Sequence, residues 1–279
     1  MNAKPFLLAF LFFLFLAPLH STAQGITGRA YYRSSSQISI SMDSTQMGSE
    51  QIAEIKAQLK KQMDKDYILS FTQTESNWKE SESLGGAPTM ASSGVRTMVI
   101  TGGGSDRMLY KNIADQSFVQ EQEIMGKEYL IKDRLEPAEW ELTGESKQIG
   151  DYTAQKATFS RIIDSQRFST GMTEMENVKD TIQVTAWFTP EIPVSHGPEN
   201  YFGLPGLILE LHHQGRVLIC ERIELNPAAN PVKIEQPKKG KLVSRAEFRE
   251  IEAERLKQMM NQYQGKPGEG NQFTIKIGN

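Results

Sequence analysis

Hydrophobic and polar positions alternate along much of this chain. Gln37-Ile38-Ser39-Ile40-Ser41-Met42 places every second residue on one apolar face, the period of a half-buried strand. A helical period follows. Ile52, Ile55, Leu59 and Met63 recur at three- and four-residue spacing and predict an amphipathic helix from Ser49 to about Asp66. Tyr67 to Thr72 reads as strand again. From Arg96 onward, short strand-like runs succeed one another at 96–100, 107–112, 117–124, 128–132, 139–142, 154–163, 181–188, 207–213, 217–225 and 232–234. Their close spacing predicts an antiparallel meander, not strand-helix-strand units. A last helix opens on a capping box, Ser244-x-x-Glu247, and runs to about Tyr263. Phe248, Ile251, Leu256, Met259 and Met260 form its apolar face. The expected fold is α+β: one large, curved antiparallel β-sheet with two main helices on its concave face.

Three stretches lie outside that frame. Met1-Asn2-Ala3-Lys4 leads into an uncharged, apolar run from Phe6 to Ala17, then Ser21-x-Ala23. This is the architecture of a cleaved export signal. The apolar run is shorter than the about 20 residues a spanning helix needs. Residues 1–23 are therefore expected to be removed between Ala23 and Gln24, leaving a periplasmic or secreted protein that is not integral to the membrane. Residues 79–94, rich in Ser, Gly, Ala and Glu, predict a flexible surface loop. Residues 265–279 form a loose tail, with Phe273 to Ile277 available as an edge strand. The expected single domain spans 24–264.

Composition and motifs act mainly by exclusion. The formal net charge is −3, and removing Lys4 with the signal makes it −4. No cluster of Lys and Arg stands out, which excludes a nucleic-acid partner. The single cysteine, Cys220, cannot form an internal disulfide. It lies in Val217-Leu218-Ile219-Cys220 and reads as a buried thiol. Thr101 to Asp106 is glycine-rich but lacks a following Gly-Lys-Ser/Thr and a helix, so it reads as a hairpin turn. Neither a Gly-x-Ser-x-Gly elbow nor His-Glu-x-x-His nor Cys-x-x-Cys occurs. Three histidines follow the signal: His196, His212 and His213. Adjacent His212 and His213 on a strand point to opposite faces. No closed metal site and no cofactor are expected from this set. A soft-metal site joining His196 to one of them, with Met172 and Met175, is the competing reading.

The densest local signal runs from Trp187 to Leu211. Leu204-Pro205-Gly206-Leu207 fits a type II turn, with proline setting φ at the second position and Gly206 accepting positive φ at the third. Gly203, Pro205 and Gly206 are the turn residues of this reading. Two interpretations stay open. One is a rigid hairpin that seeds the sheet. The other is a lip in which Trp187, Tyr201 and Phe202, with Leu204, Pro205 and Leu207, rim an apolar groove and bind a ligand.

Gly203-Leu204-Pro205-Gly206-Leu207-Ile208 resembles the motif that names the GLPGLI family of exported proteins of Bacteroidetes-type bacteria. Trp140-x-Leu142, then Glu145-x-Lys147-x-Ile149-x-x-Tyr152-x-x-Gln155-Lys156-Ala157, is similar to the family's upstream block. Trp187-Phe188-Thr189, Ile192-Pro193, Gly197-Pro198 and Pro237-Lys238-Lys239-Gly240 continue the resemblance, which covers about Tyr110 to Glu254. Ala154 stands near where many members carry a cysteine, so a thiol role there is absent. The resemblance implies export and a strand-rich fold similar to periplasmic lipoprotein carriers, and it implies no reaction. The expected function is an envelope binding or carrier protein for an apolar or peptidic ligand, linked to outer-membrane assembly or transport. The alternatives are a structural or interaction subunit, whose partner is another envelope protein, and a hydrolase whose residues converge only in space.

Overall fold

The computed structural model describes residues 25–36, 38–41, 50, 53, 57, 60, 64–81, 108–167, 176–264 and 274–277. The elements are β1 (Gly28–Ser36), β2 (Ile38–Ser41), β3 (Asp66–Phe71), β4 (Glu75–Glu80), β5 (Met108–Asn112), β6 (Ser117–Ile124), β7 (Lys127–Arg134), β8 (Glu141–Ile149), β9 (Tyr152–Arg167), β10 (Glu176–Thr189), β11 (Leu207–His213), β12 (Arg216–Leu225), β13 (Lys241–Val243), α1 (Arg245–Gln264) and β14 (Thr274–Ile277). β2 and β14 pair with each other, antiparallel.

The other twelve strands form one sheet in the order β13-β7-β6-β5-β4-β3-β1-β12-β11-β10-β9-β8. The order has a simple logic. β1 lies near the middle, pairing antiparallel with β3 on one side and β12 on the other. From β3 to β7 the chain steps outward to one margin, strand by strand. It reappears at the far margin as β8 and steps back inward until β12 meets β1. β13 then pairs parallel to β7.

Side-chain alternation explains why these segments are strands. In β1, Gly28, Ala30, Tyr32, Ser34 and Ser36 are buried, while Arg29, Tyr31, Arg33 and Ser35 point the other way. Across the sheet the same buried face collects Leu69 and Phe71, Trp78, Leu109, Ala157, Val184, Ala186 and Leu218.

The expected pair of helices on a concave face is overturned. The chain is mostly β, and among the described residues α1 is the one helix seen along its length. It sits at the sheet's margin beside β7, where Phe248 meets Tyr129 edge-on, with ring centroids 5.5 Å apart. Its capping box forms as expected: the Glu247 amide donates to Ser244 Oγ at 3.2 Å, and the Ser244 amide donates to Glu247 Oε2 at 2.7 Å. Within the first predicted helix, Glu50, Ala53, Ala57 and Lys60 are helical, and most of the other positions lie outside the described residues. What covers the buried face is irregular chain, residues 190–206 between β10 and β11. The physical reason is local. Four prolines (Pro190, Pro193, Pro198 and Pro205) deprive this segment of ladder donors, yet its apolar residues Ile192, Val194, Phe202 and Leu204 are 1%, 0%, 6% and 2% exposed.

Boundaries shift elsewhere. β1 starts well before Gln37. β4 was not expected, because Glu75-Ser76-Asn77-Trp78-Lys79-Glu80 is polar apart from one tryptophan, although Ser76 and Asn77 are both buried. Residues 232–234 are not a strand. The expected signal segment, most of the expected 79–94 loop, the expected 96–100 strand and 101–106 turn, Met172, Met175 and most of the tail lie outside the described residues.

Candidate ligand-binding site around Tyr201

Residues 190–206 fold back on themselves before β11 begins. The Leu207 amide donates to Ile192 O at 3.0 Å, the Ile208 amide to His196 O at 3.1 Å, and the Gly203 amide to Ser195 O at 3.2 Å. His196 and Phe202 form an isolated antiparallel bridge. Backbone fit sets the glycines. Gly203 holds φ +97. Gly206 does not have positive φ, which corrects the expected type II turn. Its requirement is contact instead: a Cβ there would lie 2.0 Å from Thr189 O and 2.5 Å from Thr189 C. A Cβ on Gly197 would lie 2.5 Å from Ile208 Cδ1.

One side chain fastens this segment to the opposite half of the sheet. Lys111 on β5 is 0% exposed. Its Nζ donates to Gly197 O at 2.7 Å, Glu199 O at 2.5 Å and, more weakly, Tyr201 O at 3.4 Å. Burial pulls the ammonium down to about 7, and the charge of Glu199 works against that fall. Three carbonyls match the three N–H groups of a lysine. The cage therefore orders residues 197–201 without a buried counter-charge. His196 is also fully buried, and both ring nitrogens lack a well-formed hydrogen bond. Burial, then the Lys111 charge, hold it down to about 3, with the Thr72 backbone pulling the other way.

Above this anchorage the segment opens. Tyr201 is half-buried, and its ring lies 5.3 Å from His213, 6.1 Å from Phe159 and 6.4 Å from Trp140. Trp140 and Phe159 meet edge-on at 4.7 Å, and Trp140 Nε1 donates to Phe202 O at 2.9 Å. Strand register explains the convergence: Phe159 faces Val184, and Val184 faces His213. Two residues beyond Phe159, Arg161 shares its face. A second group adjoins. Arg216 donates to Glu199 Oε1 at 2.5 Å and to Tyr67 Oη at 2.9 Å. Glu199 Oε2 lies 3.3 Å from His213 Nε2, without hydrogen-bond geometry. Burial and the Glu199 charge push Tyr201 up to about 12, with Arg161 opposing. Burial lowers His213, with Glu199 opposing, so the imidazole is neutral at neutral pH. The result is a half-open surface of Trp, Tyr and Phe rings beside two guanidinium groups.

The expected lip does not assemble as one rim. Tyr201 belongs to the half-open surface. Phe202, Leu204 and Leu207 are core, at 6%, 2% and 0% exposed. Pro205 is exposed. Trp187 lies on the opposite face of the sheet, where it pairs across β10 with Lys156 and Glu210. Lys147 Nζ sits 4.3 Å from its ring centroid, and the same nitrogen is 2.8 and 2.7 Å from the two Glu210 oxygens. His212 joins Glu210 there at 2.5 Å. The three histidines are thus separated: His196 within the core, His213 beside Tyr201 and His212 on the far face. Among the described residues no three His, Cys, Asp or Glu side chains gather as a metal site. Cys220 is buried, and burial pushes its thiol up to about 12.

Sequence reasoning missed Lys111, Phe159, Glu199, Arg216 and Tyr67. One signal was available: Lys111 shares the face of Leu109 by period two, so a charged residue stood at a core position of a strand.

Two solved structures are similar to the chain, those of PNGF-II in its C2 and P21 space groups. The first is 12% identical with TM-score 0.46, over 82% of this chain and 33% of that chain. The second is 11% identical with TM-score 0.45, over 81% and 32%. The chain thus spans about a third of their length. No curated protein matches it. Residues 140–210, which run from Trp140 through Tyr201 to Glu210, match the family described as "Protein of unknown function (Porph_ging)", a domain typical of Bacteroidetes-type proteins.

Proposed function

We propose that the chain is an exported binding protein of the bacterial envelope, a member of the GLPGLI family, that holds a peptidic ligand against the surface around Tyr201. The observation that carries this reading is the surface itself. Trp140, Tyr201 and Tyr67 stand beside Arg161 and Arg216, half-open, on a frame locked from below by Lys111. Trp, Tyr and Arg are the side chains that dominate binding hot spots. Rings give area at little entropic cost, and guanidinium groups reach backbone carbonyls and carboxylates. Residues 190–206 already occupy the buried face, which favours a peptide lying on the half-open surface over an apolar molecule enclosed beneath it. Export after cleavage between Ala23 and Gln24 places such a protein in the periplasm or outside the cell.

Native mass spectrometry of protein purified from its own envelope tests the reading. A co-purified peptide is expected with the wild type and with Trp187→Ala, and its loss with Tyr201→Ala at unchanged melting temperature. Retention by Tyr201→Ala with loss in Trp187→Ala would move the site to the opposite face.

A further inference from the structure

β9 and β10 outrun their neighbours. β8 pairs with β9 only as far as Thr158. β11 pairs with β10 only from Val184 onward. Beyond those limits β9 and β10 pair with each other alone, from Ser160↔Gln183 outward to Arg167↔Glu176. A two-stranded ribbon therefore rises from the sheet, and among the described residues no third strand joins it. Ser160, Arg161, Lys179, Thr181 and Gln183 are exposed, and Ile162 is 70% exposed. A ribbon of two strands is only marginally stable by itself in water.

The step on the β10 side has a defined floor. It is the β11–β12 turn, which begins at His213, whose ring lies 5.3 Å from Tyr201, and ends at Arg216, which holds Glu199 and Tyr67. We propose that an extended polypeptide segment docks here as an added strand along β10, in the line that β11 leaves at His213. Its end then rests on Tyr201, His213 and Arg216. The edge itself selects the occupant. Outward N–H and C=O groups along a strand are matched by another extended main chain, and side-chain pockets at alternate positions supply preference. A lipid or a saccharide offers no such repeat. The inference rests on the peptide-binding reading above and adds the mode of binding.

The probe is a peptide of known sequence, obtained by panning a random twelve-residue library on the full chain. Hydrogen exchange is then measured on the complex. Slowed exchange at Lys179, Thr181 and Gln183 is expected, together with at least tenfold weaker binding when alternate amides of the peptide are N-methylated. Protection confined to the residues around Tyr201, with N-methylation tolerated, would overturn strand addition and leave the peptide reading standing. Failure to select any peptide that Tyr201→Ala weakens would overturn both.

Discussion

Lys111 and Lys147 occupy opposite faces of the same sheet and show what burial does to a cation. Lys111 is fully enclosed and hydrogen-bonds only to carbonyls, so burial pulls its ammonium down to about 7 against the charge of Glu199. Lys147 keeps about a third of its side chain in water, at 35%, and meets a carboxylate and the Trp187 ring. Its partner Glu210 is pushed up by burial, but Lys147 and His212 outweigh that and hold it below the usual carboxylate range. The inner lysine is a fastener: removing it orphans buried carbonyls. The outer lysine is a partly exposed partner: removing it leaves Glu210, 9% exposed, with His212 as its remaining partner. Residue type and motif membership do not distinguish the two. Lys147 lies in the stretch that resembles a known family's upstream block, yet Lys111 is the one that shapes the site.

That contrast can be broken at the point where the inner segment touches β10. Gly206→Ala places a methyl 2.0 Å from Thr189 O, a backbone atom that cannot step aside. The expected loss is more than about 3 kcal/mol, beyond ordinary overpacking. Gly203→Ala has only Trp140 Cδ1 at 4.0 Å and meets positive φ alone, so about 1 kcal/mol is expected there. Urea denaturation of both separates contact from conformation, and equal losses would refute the contact argument.

Lys111→Met and Lys147→Met sharpen the comparison directly. The first leaves the carbonyls of Gly197 and Glu199 buried without a donor, and about 3 kcal/mol of destabilisation is expected. The second leaves Glu210, 9% exposed, with His212 still bonded to it, and a smaller loss of about 1 to 2 kcal/mol is expected. Similar losses for both would show that the carbonyl cage is dispensable.

The smallest effect at neutral pH concerns His196. His196 titrates near 3 in the fold against an ordinary 6.5. Between those values the unfolded chain binds the proton and the folded chain does not. Stability therefore rises with pH from about 3 to 6.5, is complete above 6.5, and is lost as pH falls through that window. His196→Leu removes this slope and changes stability at pH 8 by less than about 1 kcal/mol, because the ring nitrogens are poorly bonded to begin with. Melting temperatures measured from pH 4 to pH 8 decide it, and an unchanged acid slope in the variant would assign the titration elsewhere.

Much of the sheet was legible, because period-two burial writes itself into sequence wherever one face is dry. β5, β6, β11 and β12 are found almost residue for residue. β4 was illegible, since Ser76 and Asn77 are buried polar residues that read as loop. The lip was half legible for a related reason. Aromatic residues near a turn signal do not reveal on which side of a strand each one lies, and Trp187 and Tyr201 end on opposite faces. Gly206 shows a correct residue with the wrong cause. Sequence indicates that a side chain is unwelcome, but φ and a nearby carbonyl leave the same mark. The cage around Lys111 required β5 to meet residues 86 to 90 positions later, a convergence that no local pattern encodes.

The strand order also sets a schedule for assembly. β1 emerges first, yet Tyr31 reaches its β12 neighbour Glu224 across 193 residues. Until that late segment arrives, β1 can pair only with β3, and its other edge stays open through nearly the whole of synthesis. Closure of the sheet is a long-range event with a large loop cost, the kind that makes folding slow and leaves an unpaired edge exposed to other chains. A chain built this way benefits from a holding factor that covers β1 until β12 is delivered.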